Sequence, residues 1–148
     1  MSIIQTEKMK TPWHLWVIGV VALLWNAVGA FDFMMTQMRD QAYLSAFTPE
    51  QLAFFNSYPT WLIIAWGVGV WGGVMGSVYL LLRKRFAFWL YLASLLGVIL
   101  TNIHTFLLSD GMKIMGDSAS LIFTGVIFMV AVALFLYAHA MTKRGVLQ

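Results

Sequence analysis

Few side chains in this sequence can do chemistry, and the four most suggestive fall inside two long apolar runs. Asp32 and Asn26 lie in one of them, His104 and Asn102 in the other. A carboxylate beside an imidazole can bind or relay a proton, and an ionisable group within a membrane-length apolar segment is by default a functional candidate. The competing account is structural: a shallow Asp snorkels to the surface while Asn and His hold helices together through hydrogen bonds. A second pair, His14 and His139, falls at equal depth in the first and last apolar runs. Two histidines at one level of a four-helix bundle can ligate a b-type haem. Their neighbours Trp13, Trp16 and Tyr137 favour a simpler reading, an aromatic belt at a membrane interface.

Other chemistries find no footing. The chain has no cysteine, which removes disulfides and thiolate metal sites. Its ten Met residues, set among apolar neighbours, serve as packing filler in preference to metal ligands. There is no Glu-x-x-His pattern for a di-iron site, no nucleotide-binding motif, and no Ser, His and Asp grouping for hydrolysis. The expectation is a non-enzymatic protein with no cofactor and no metal.

The elements that must position these residues are four apolar runs at 13–35, 61–82, 86–108 and 119–141, each long enough to cross the ~30 Å hydrocarbon core of a bilayer. A cleaved secretory signal is the alternative for the first run, with Ala27 and Gly29 imitating the cut. That run, however, exceeds the about 7–15 apolar residues such a signal carries. With a turn as short as 83–85, neighbouring helices must pack antiparallel. The fold expected is all-α: one membrane domain over 1–148, an antiparallel bundle of four transmembrane helices.

Charge gives the orientation. Lys8 and Lys10, Arg83, Lys84 and Arg85, and Lys143 and Arg144 make seven of the nine basic residues, all at alternate junctions, while Arg39 and Lys113 alone occupy the others. The positive-inside rule then puts both termini in the cytoplasm and the loops near 36–60 and 109–118 outside. A net charge of +3 could suggest nucleic acid, but the basic residues mark span ends and do not line one face, so no nucleic-acid partner is expected.

Local signals refine the picture. Thr11 and Pro12 make a helix opening for the first span. Thr48 and Gln51 satisfy a capping box with Pro49 in the first turn, which predicts a short outer amphipathic helix over about 49–57. That helix carries Leu52, Phe54 and Phe55, and lies either as a lid among the headgroups or as a docking surface or cover over a cavity. The segment 109–118 reads as a tight loop in which Asp117 and Ser118 can open the last helix.

Without a hydrophobic drive between helices in lipid, close packing relies on small residues. Gly69, Gly72, Gly73 and Gly76 form one smooth stripe on the second span. Gly19, Ala22, Asn26 and Gly29 offer a matching seam on the first, so a contact between these two spans is expected, with self-association as the alternative. Ser94, Gly97, Thr101 and Thr105 mark one side of the third span. By the ~1.5 Å rise per residue, His104 lies about 6 Å, and Asp32 about 4–5 Å, below the outer ends of their spans, so the two could meet.

The strings HLWVIG (14–19), ALLWNAVGAFD (22–32), FTPEQL (47–52) and GVWGG (69–73) resemble a family of small four-span proteobacterial inner-membrane proteins, often automatically named sugar transporters. The resemblance covers residues 13–111. It implies a multi-pass protein of the bacterial inner membrane and transport as a function, and it carries over no site residue.

Two functions remain as expectations. One is an accessory or assembly subunit that binds other membrane proteins, or itself, through its small-residue and aromatic faces. The other is a small oligomeric solute transporter built on Asp32, His104, Asn26 and Asn102.

Overall fold

The computed structural model describes residues 10–148, so Lys8 lies outside the described residues. Among the described residues seven α-helices follow one another: α1 (Trp13–Gln37), α2 (Gln41–Leu44), α3 (Pro49–Asn56), α4 (Thr60–Leu81), α5 (Phe86–Ile103), α6 (Gly111–Met115) and α7 (Ser118–Lys143). A π-helical turn, His104–Leu108, prolongs α5. Helices α1, α4, α5 with its π turn, and α7 are long and apolar enough to cross a membrane. The fold is thus an all-helical bundle of four membrane-length helices, with three short helices at one end.

Capping explains where the short helices begin. Thr48 and Gln51 form the reciprocal capping box at the start of α3, with Gln51 N–H donating to Thr48 Oγ1 at 3.2 Å and Thr48 N–H to Gln51 Oε1 at 3.1 Å. Asp40 accepts from Tyr43 N–H at 2.8 Å and so nucleates α2. Asp117 opens α7 by accepting from Ser120 N–H at 3.1 Å. Two local expectations change. The first helix starts at Trp13, one residue past Pro12, because Pro12 stays extended and the Thr11 hydroxyl accepts instead from Arg83 Nη1 at 3.0 Å. The 109–118 loop contains the short helix α6.

The long helices pack in the order α1, α4, α5, α7, and α1 and α7 barely touch along their backbones. The glycine stripe of α4 faces mainly α5, not α1. A methyl group on Gly72 would come within 3.1 Å of Leu90 O, and one on Gly97 within 2.5 Å of Ala65 O. Ser94 Oγ donates to Gly69 O at 2.5 Å across this seam. Gly73 alone of the stripe receives α1, through the Asn26 amide, while Gly19 and Gly29 of α1 meet Leu81 and Val70 of α4. The reason is angular: at ~100° per residue, 69, 72 and 76 share a face that 73 flanks, and α5 supplies its own glycine there.

The start of the first long helix, the basic turn 83–85 and the C-terminal tail meet at one end, with Arg83 reaching Thr11 and the backbones of Arg83 and Arg85 pairing with Gln148. At this end Leu15, Leu80, Tyr91, Leu134, Ala138 and Met141 make a continuous core, completed by Val146 and Leu147 of the tail.

Candidate functional site

The opposite end is hollow. Between α1, α4, α5 and α7 lies a cavity of ≈ 680 Å³. Its floor is Tyr91, whose hydroxyl is 2.9 Å from Ser77 Oγ, which in turn donates to Gly73 O at 2.8 Å. Below that floor the packed core begins. Its roof is α2, α3 and α6: Tyr43, Phe47, Gln51, Phe55 and Met115 all line it, and Gln51 Nε2 reaches Met115 Sδ at 3.7 Å to tie α3 to α6. Helix α3 therefore covers a cavity.

Rings stitch the roof together. Phe31, Tyr43, Phe47 and Phe55 follow one another at centroid separations of 5.8, 5.9 and 5.6 Å, and Phe55 continues to Tyr58 at 5.9 Å. Such edge-to-face and tilted pairs fix one packing arrangement, which a smooth aliphatic roof would not. The side wall is looser. Val28 and Phe123 line the cavity yet are 68% and 58% exposed, so the wall between α1 and α7 opens sideways. Trp25 and Phe123 meet across that gap at 6.3 Å.

Three of the four polar residues picked out in the sequence line this space: Asp32 and Asn26 from α1, Asn102 from α5. Asn26 Nδ2 donates to Ala22 O at 2.8 Å. The Asn102 side chain makes no hydrogen bond among the described residues. Asp32 accepts the Tyr43 hydroxyl on Oδ1. His104 does not join them. It packs edge-on against Tyr58 at 5.7 Å and Trp61 at 5.8 Å, and its Nδ1 is buried without a partner. Two residues along a helix turn about 200°, so when Asn102 faces the cavity His104 must face the other way.

The same angular rule separates the second pair. His14 Nδ1 is 2.6 Å from the Tyr137 hydroxyl, which makes that side of α7 the one facing α1. His139, two residues on, packs against Phe88 of α5 at 5.5 Å. The two imidazoles thus do not present ligands to one common space, and this geometry does not fit a haem held between them.

Tyr43 was the residue that sequence reasoning left without a role. Burial, and then the hydrogen bond and charge of Asp32, push its hydroxyl up to about 12, so it remains a donor to the carboxylate at neutral pH. The signal was present in Asp40: an Asn- or Asp-type cap three residues before Tyr43 starts a helix and folds the ring back toward α1. Trp66 and Tyr91 carried no such signal, because an aromatic residue in an apolar helix looks the same whether it faces lipid or a cavity.

No protein-family model matches this chain, and comparison with curated proteins and with solved structures finds no match either. Its function is argued from the geometry above.

Proposed function

We propose that this chain is a non-enzymatic integral membrane protein that holds a small, mostly apolar molecule between its helices, as a binding or solute-transport protein. The observation that carries this reading is the ≈ 680 Å³ cavity, sealed at one end by a dense core and roofed at the other by aromatic rings. A concave, largely apolar space with a few convergent polar groups is the usual form of a small-molecule site. The side opening between α1 and α7 supports entry from the bilayer. A resemblance to proteins labelled sugar transporters points to transport. Yet a sugar presents hydroxyls on every side, and each one buried without a partner costs on the order of 1–3 kcal/mol. The cavity suits an amphipathic guest better.

By the positive-inside rule, the basic end lies in the cytoplasm of a bacterial inner membrane and the roof faces outward. Reporter fusions at Gln148 and in the α2–α3 segment test this, the first reading as internal and the second as external.

The cavity is tested by filling it. Ala131 of α7 lines the space and lies outside the packed core, so Ala131→Trp fills the cavity from its wall. Native mass spectrometry from mild detergent is expected to find a small molecule on the wild-type chain that the variant lacks. Equal occupancy in both would overturn the reading. An accessory-subunit role has one supporting observation, that α7 packs its backbone mainly on α5 and leaves most of its surface for a further helix. A heterologous complex that survives Ala131→Trp would favour it.

A further inference from the structure

We propose that the guest is a lipophilic monocation, an amine, quaternary ammonium or phosphonium centre on an apolar body, with Asp32 as its counter-ion; this rests on the binding reading above. Charge is the first argument. Asp32 is the only charged side chain among the residues lining the cavity. Among the described residues no cation pairs with it, the one ion pair being the exposed Lys113–Asp110 contact at 3.7 Å. Its Oδ1 takes the Tyr43 hydroxyl, while among the described residues Oδ2 accepts nothing and is not buried. A carboxylate facing an apolar space at membrane depth attracts a cation strongly and repels an anion.

The rings are the second argument, and they are independent of the first. Tyr43, Phe47 and Phe55 of the roof and Trp66 of α4 line the cavity around its acidic end. Trp66 packs against Phe33, the residue next to Asp32, at 5.0 Å. Aromatic faces carry negative charge density, and rings grouped about an organic cation are the common way proteins recognise one. Among the described residues no Lys or Arg side chain lines this space for those faces to serve.

Shape narrows the class further. Below the roof, Val98, Ile127, Val130 and Leu134 give the walls an apolar character that suits a hydrocarbon or aryl body. A metal cation is poorly served, because among the described residues no three His, Asp or Glu side chains gather.

The test uses the purified chain in lipid nanodiscs and three probes of related shape: tetraphenylphosphonium, neutral triphenylphosphine oxide and anionic tetraphenylborate. Saturable binding of the phosphonium is expected, with Asp32→Asn weakening it about tenfold or more and leaving the phosphine oxide unchanged. Asparagine keeps an oxygen for the Tyr43 hydroxyl, so the variant removes charge and preserves the roof. Thermal melts check this. Should Asp32→Asn fail to fold, Phe47→Leu carries the test, with a several-fold loss expected for the cation alone. Equal binding of phosphonium and phosphine oxide, both insensitive to Asp32→Asn or Phe47→Leu but blocked by Ala131→Trp, would overturn the cation and leave the cavity reading standing. Absence of saturable phosphonium binding overturns the cation as well, and the mass-spectrometric comparison above then decides the cavity separately.

Discussion

At the end bearing the termini, Leu15, Leu80, Tyr91, Ala138 and Leu147 are at most 2% exposed, whereas at the other end the same four helices enclose ≈ 680 Å³. Both regions are built from apolar helices of similar composition, so composition does not explain the contrast. What differs is what stands between α1 and α7. At the packed end Leu15, Leu134, Ala138 and Met141 belong to one buried cluster, which Val146 and Leu147 of the tail complete. At the hollow end Trp25 and Phe123 meet at a tilt across the gap, their ring centroids 6.3 Å apart. Dense packing gives one region stability, and its absence leaves the other an open space, the one our proposal fills with a guest.

The contrast can be broken at its strongest point. Tyr91→Ala removes the floor between the two regions and one ring of the core, and is expected to destabilise the fold by about 3–5 kcal/mol, as for other large-to-small aromatic replacements. Thermal unfolding in detergent reads this directly. A loss no larger than that of a lipid-facing change such as Val126→Ala would mean that the packed end is not the stabilising half. Next in size, Leu147→Ala should cost about 2–4 kcal/mol by opening the tail's seat in the core. An unchanged melt would show that the tail does not seal this end.

Substitution in the hollow half should behave in the opposite sense. Ala131→Leu adds apolar volume where there is room, so its stability should stay within about 1 kcal/mol of wild type or rise. A loss comparable to the core variants would show that the cavity is tightly packed in solution.

Smaller effects sharpen the roof. Tyr43→Phe removes the donor to Asp32 and should cost about 1 kcal/mol, with faster hydrogen exchange over 41–56 as the local sign. The tyrosine also has a pH signature. Its folded pKa is raised above the free value of about 10 to about 12. Its contribution is therefore complete below pH ~10 and is lost as pH rises through the folded pKa. A tyrosinate absorbance titration, taken as wild type minus Tyr43→Phe, should show this residue ionising well above the free value of about 10. Thr48→Ala dismantles the α3 capping box; caps of this kind are worth about 0.5–2 kcal/mol, and on an exposed lid helix the low end is expected.

The sequence alone determined what depends on local composition and spacing. Four apolar segments must be helices in lipid, because every backbone amide there needs an internal partner. The capping box fixed the start of α3 at Pro49, and Asp117 fixed the start of α7, because those caps act within four residues. Asp32 and its neighbouring amides were visible as polar groups in apolar runs. Only the tertiary structure decided how those helices face one another. It turned the α4 glycines toward α5, aimed His104 at Tyr58 and Trp61, and gave Asp32 a partner in Tyr43. A residue's rotation about its own helix can be counted from the sequence, but the zero of that rotation is set by which neighbour the helix packs against. In a chain whose faces are nearly all apolar, no polar side marks it in advance.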